Sequence, residues 1–148
     1  MNLDVIYQKI SNEIDTEEIL TNEPMSKHTS FKTGGNADFF IKTTDISKIK
    51  YLIKISKDEN IPLTIVGNGS NLLVKDNGIR GIVLKPDLKN IDIKKVGNKI
   101  IIKSGSAVPL IKLSKIAEEN SATGLEFAIR NTRFSRWSYI YECWCLWI

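Results

Sequence analysis

The 148-residue chain predicts a mixed α+β fold. Apolar residues recur at helical spacing in some segments and in short continuous or alternating runs in others. The runs are bounded by Gly, Pro and Asn, which punctuate turns. Hydrophobic residues at 42% and charged residues at 26% are enough to bury a core and argue against disorder. The chain shows neither an internal repeat nor a low-complexity linker.

Residues 3–14 carry Val5, Ile6, Ile10 and Ile14, a spacing that suits a short amphipathic helix. Residues 21–37 read as a polar, turn-rich stretch ending in Thr33-Gly34-Gly35-Asn36-Ala37. A short strand is expected over 38–42. Asp45 is placed to cap a helix bearing Ile46, Ile49, Leu52 and Ile53, which should end near Asn60, before Pro62. Pro62-Leu63-Thr64-Ile65-Val66 reads as a short buried strand, and Asp76-Asn77-Gly78 as a turn. Three more strands are expected over 81–85, 91–95 and 99–103, the last two joined at Gly97-Asn98 as a hairpin. Ser106 or Ala107 should open a second long helix with Pro109 in its first turn. Leu110, Leu113 and Ala117 share its inner face, and Gly124 lies beyond its end.

Composition narrows the function classes. No apolar run is long enough for a membrane helix, and the Met1-Asn2-Leu3-Asp4 start has neither a basic nor an apolar leader region. Cys143 and Cys145 fit no zinc spacing and cannot staple a fold, which weakly suits a reducing cytoplasm. A net charge of +4 is too modest to indicate a nucleic-acid partner.

Gly67-Asn68-Gly69-Ser70-Asn71 is the strongest functional candidate. Gly and Asn tolerate left-handed backbone angles, so successive N–H groups can converge on a phosphate. Missing side chains also allow a ligand to approach the main chain, and Ser70 and Asn71 add polar groups. A simple chain reversal is the alternative. The Rossmann spacing fails because position 72 is Leu, and no G-K-[ST] follows for a P-loop. Gly34-Gly35 is a second flexible point, more simply a turn before a strand. His28, the single histidine, reads as a hydrogen-bonding residue rather than a catalyst. The Lys94-Lys95 pair reads as a solvated strand end. Ser104-Gly105-Ser106 suits an N-cap better than an anion site.

Four blocks together resemble one family of flavoenzymes, the UDP-N-acetylenolpyruvoylglucosamine reductases (MurB, UDP-N-acetylmuramate dehydrogenase). They are Met25-Ser26-Lys27-His28-Thr29-Ser30-Phe31-Lys32-Thr33-Gly34-Gly35-Asn36-Ala37, Val66-Gly67-Asn68-Gly69-Ser70-Asn71-Leu72-Leu73-Val74, Gly78-Ile79-Arg80-Gly81-Ile82-Val83 and Gly124-Leu125-Glu126-Phe127-Ala128. The resemblance implies an FAD-binding domain of the vanillyl-alcohol-oxidase and p-cresol-methylhydroxylase type. It implies non-covalent FAD, with Gly67, Asn68, Gly69, Ser70, Asn71 and Leu72 as cofactor contacts around the pyrophosphate. It further implies a cytoplasmic enzyme of peptidoglycan precursor synthesis. NADPH would be the reductant, an enolpyruvyl UDP-sugar the substrate and the flavin the hydride carrier. No metal is expected, and neither a membrane nor a nucleic acid as partner.

The composition changes near Ile129. Residues 1–129 contain a single arginine, Arg80, and no tryptophan or cysteine. Residues 130–148 hold Arg130, Arg133, Arg136, Trp137, Trp144, Trp147 and both cysteines. One reading of this end is a C-terminal strand packed on the core. The resembled family continues instead with a glycine-rich segment, G-I-P-G-x-x-G-G-A…N-A-G-A-Y-G. Permitted codons for residues 130–148, read one base later, spell GIPGFLGGAIYMNAGAYG, so a frame shift near Ile129 is expected. The expected organisation is a helical segment over 1–20, the first portion of an FAD-binding domain over 21–129 and an aberrant tail over 130–148. The domain is then incomplete at its C-terminal end, the substrate domain is absent, and the chain is inactive alone. Arg130, Arg133, Ser135, Arg136, Ser138 and Glu142 lack the context of catalysts, and none is assigned. Two rivals are another FAD-dependent oxidoreductase of the same fold and a nucleic-acid- or protein-binding module built on the basic aromatic tail.

Overall fold

The computed structural model describes residues 2–128 and the strand Leu146–Trp147. The chain divides into two compact units, Met1–Pro86 and Asp87–Ile148. The reading of residues 130–148 falls, except for that strand, outside the described residues.

In the first unit, helix α1 (Leu3–Ile10) is capped by Asn2, whose side chain accepts from the Asp4 amide. It buries Ile6 and Ile10, and Ile14 is buried in the turn that follows. Strand β1 (Ile19–Pro24) comes next, where the sequence suggested turns. Its exposed, polar face carries no alternation, so only its antiparallel pairing with β2 (Asn36–Thr43) reveals it. A 3₁₀ turn, Met25–His28, links the two. Helix α2 (Ile46–Asp58) starts at the Asp45 cap as expected. Its buried stripe is Ile49, Leu52 and Ile55, whereas Ile46 is 53% exposed.

Strand β3 (Leu63–Ile65) and strand β4 (Ile79–Pro86) complete a four-stranded sheet in the order β1-β2-β4-β3. The pairs β2–β4 and β3–β4 are parallel. β3 is therefore an edge strand, partly exposed rather than fully buried as its apolar run suggested. The β2–β4 register slips between Ala37 and Phe39. Asp38 bridges the slip: its buried carboxylate accepts from the Gly81 amide at 2.8 Å and pairs with the Arg80 guanidinium at 2.8 Å.

The second unit opens with strands β5 (Ile91–Val96) and β6 (Lys99–Ser104), antiparallel across Gly97-Asn98. Gly97 has φ +60°, as the two-residue hairpin turn requires. Helix α3 (Leu110–Glu119) begins later than expected. Pro109 is its extended N-cap residue rather than part of its first turn. Ile102, Val108, Leu113, Ala117 and Leu125 form this unit's core. Strand β7 (Leu146–Trp147) pairs with β6 antiparallel.

Candidate functional site

The candidate loop leaves β3 of the first unit. Val66 ends the approach: it is buried, and its amide donates to Leu84 O at 2.9 Å. Val74 is buried at the far side. Both join Met25, Ala37, Phe40 and Val83 in one apolar cluster, with Leu72 packed against it. The loop is thus pinned at both ends by its own hydrophobic residues, while Asn68 and Asn71 between them are exposed.

A second segment, running from Met25 to Asn36, lies against this loop. Ser30 donates its amide to Gly69 O at 3.0 Å. Gly35 donates to Lys75 O at 3.0 Å, and its own carbonyl accepts from Met25. Gly34, at φ +117°, packs on Val74, so a side chain there would collide with it. The two glycine positions read separately in the sequence therefore meet. The Gly34-Gly35 pair lets one loop pass against the other, a packing role more specific than a simple turn.

Gly69 has φ +65° and is buried. A Cβ at this position would overlap the carbonyl oxygen of His28. Its lack of a side chain thus serves chain packing, in addition to the backbone freedom read from sequence. The bend closes where the Leu72 amide meets Gly69 O at 3.5 Å.

The four amides before that closure are different. Among the described residues, the N–H groups of Gly67, Asn68, Gly69 and Ser70 donate to no acceptor. Of the four residues only Gly69 is buried, so most of these N–H groups face outward, where solvent or a bound ligand can meet them. Consecutive donors at the end of a strand, with no protein acceptor among the described residues, suit the oxygens of a phosphate or diphosphate. The amides of 67–70 suit the diphosphate expected at residues 67–72, whereas the Leu72 amide is taken up by Gly69 O and its side chain packs on the apolar cluster.

The other candidates play structural parts. Nε2 of His28 lies 3.0 Å from Glu23 Oε1, in keeping with a hydrogen-bonding histidine. Burial pushes the Glu23 carboxyl up. Hydrogen bonds from His28 and Lys27 outweigh that effect and hold it below its ordinary value. Gly105 donates to Asn90 O and packs on the Leu88 carbonyl, so Ser104-Gly105-Ser106 joins a loop to the hairpin and does not cap α3. Lys94 and Lys95 are exposed. A cleft of about 370 Å³ is lined by Tyr7, Thr21, Asn22, Asp38, Phe39 and Arg80, among others, and by none of residues 67–72. Arg80 there is already committed to Asp38, Asn36 O and Asn77 O. No group of three or more His, Cys, Asp or Glu among the described residues is arranged to hold a metal. No helix among them is long and apolar enough to cross a membrane.

Comparison with known proteins identifies the family of the chain. A family model described as an FAD binding domain matches residues 37–133. The chain is 48% identical over 121 residues to a UDP-N-acetylenolpyruvoylglucosamine reductase of Clostridium kluyveri, covering 81% of this chain and 38% of that protein. It is 41% identical over 123 residues to the reductase of the same name from Staphylococcus aureus, covering 83% of this chain and 39% of that protein. The chain thus spans about two-fifths of the length of these curated relatives. Among solved structures, p-cresol methylhydroxylase matches with a TM-score of 0.51 at 14% identity, over 80% of this chain and 25% of that one. A solvent-stable cholesterol oxidase matches with a TM-score of 0.51 at 12% identity, over 70% and 19%. The resemblance carried by the four sequence blocks and the expected fold class are both borne out.

Proposed function

The chain belongs to the FAD-binding domain family, and on that premise we propose that it is the cofactor-holding first portion of a UDP-N-acetylenolpyruvoylglucosamine reductase. The observation that carries this reading is the run of amides at 67–70 that meet no acceptor among the described residues, in a chain 48% identical over 121 residues to such a reductase. Gly67, Asn68, Gly69, Ser70, Asn71 and Leu72 hold the diphosphate of non-covalent FAD. The main-chain amides supply directional donors. Asn68, Ser70 and Asn71 add side-chain polar groups. The apolar cluster beneath the loop fixes those donors before the ligand arrives, which lowers the entropic cost of binding.

The chemistry that FAD supplies when bound is hydride carriage between NADPH and the enolpyruvyl double bond of a UDP-sugar. In this reading the product is UDP-N-acetylmuramate, and the complete enzyme works in the cytoplasm. None of the described residues is assigned to proton transfer. We further propose that residues 130–148 are read out of frame. The family match ends at residue 133, close to the change in composition, and permitted codons for 130–148, read one base later, can spell the glycine-rich segment of the resembled family.

Two measurements test the proposal. Titrating the purified chain into FAD should quench flavin fluorescence and shift the flavin absorbance bands. Unchanged spectra at saturating protein would contradict it. Sequencing the locus should find codons for 130–148 that encode the glycine-rich segment one base later. Codons that cannot spell it defeat the frame-shift reading alone.

A further inference from the structure

His28 stands out because both its ring and its main chain are committed. The ring stacks on Phe40 with centroids 3.9 Å apart and planes 18° apart. Phe40 is 1% exposed and sits in the apolar cluster beneath the loop. The ring's Nε2 meets Glu23 Oε1 at 3.0 Å, and Lys27 reaches the same carboxylate at 3.4 Å. An ionised carboxylate only accepts, so Nε2 carries the proton in this pair. On the main-chain side, the carbonyl of His28 occupies the space where a Cβ of Gly69 would stand. Two residues further on, the Ser30 amide holds Gly69 O.

We propose that His28 is a positioning residue for the diphosphate loop: its anchored ring fixes the 28–30 backbone, and that backbone is the wall that sets Gly69. The inference rests on the reading of residues 67–72 given above. Its physical reason is entropy. A glycine has more backbone freedom to lose than any other residue. Among the described residues the Gly69 amide has no acceptor to orient it, so its direction comes from what the residue packs against. Loosening His28 therefore costs ligand affinity without removing any group that touches the ligand.

Amide hydrogen exchange on the ligand-free full chain tests the wall directly, and FAD fluorescence quenching tests its consequence. His28→Ala removes the stack and the hydrogen bond. His28→Phe keeps a ring against Phe40 and loses the bond to Glu23. Exchange at the Ser30 amide should rise about tenfold in His28→Ala relative to the Ile82 amide of β4, with His28→Phe between. FAD affinity should fall in the same order. Should His28→Ala unfold, with Ile82 exchanging as fast as Ser30, the His28→Phe variant decides. Ser30 exchange and FAD affinity both at wild-type values in the folded variants would overturn the proposal. A wild-type chain that leaves FAD unquenched would overturn the cofactor reading beneath it. Ser30 exchange would then still decide whether His28 holds the loop.

Discussion

At Gly69 two demands fall on one residue: a positive φ and the absence of a Cβ. Gly69→Ala should therefore cost about 1–3 kcal/mol in denaturant unfolding, from backbone strain plus displacement of the His28 carbonyl. The same variant should weaken FAD binding. Asp38 is a second single-residue test. Its side chain is 5% exposed and serves both the Gly81 amide and Arg80. Asp38→Ala strands a buried donor and should cost about 2–4 kcal/mol. Glu23 gives a pH prediction. Its carboxyl is lowered from an ordinary value of 4.5 in the folded chain, so its contribution is present above that value. It is lost as pH falls through the lowered value. Acid titration of wild type should show this loss, and Glu23→Gln should flatten it.

The hairpin β5–β6 isolates a backbone effect at the scale of an element. Gly97 has φ +60° but nothing within 4 Å of a built Cβ. Gly97→Ala should thus cost only about 1 kcal/mol, measured by unfolding, from strain without collision. This element was legible because Gly-Asn between apolar strands is a local signal. The Asp45 cap and helix α2 were legible for the same reason. Strand β1 was not. Residues Thr21, Asn22 and Glu23 carry no strand pattern of their own, Asn22 sits at φ +52°, and β2 supplies the hydrogen bonds. The start of α3 was misplaced because Pro109 suits both a first-turn and a cap position, and its neighbours decide.

For the whole molecule, Gly67-Asn68-Gly69-Ser70-Asn71 announced a sharp bend from sequence alone, and four short blocks sufficed to indicate the family. The partnership between that loop and the His28 segment was not readable. It joins backbone atoms of residues 28–30 with residue 69, and neither stretch announces the other. The proposed function carries an expectation at this scale as well. The chain with FAD, NADPH and the enolpyruvyl UDP-sugar should form no product. A version with the reading frame restored at position 130 and extended to the relatives' length should form it, as chromatography of the UDP-sugars would show.

Amide chemical shifts of the labelled chain, followed while FAD and then riboflavin are added, address the site itself. Riboflavin carries the same ring system without the diphosphate. The amides of Gly67, Asn68, Gly69 and Ser70 should move with FAD and stay in place with riboflavin. Shifts confined to other residues, or equal shifts with both compounds, would contradict the assignment of the diphosphate to this loop.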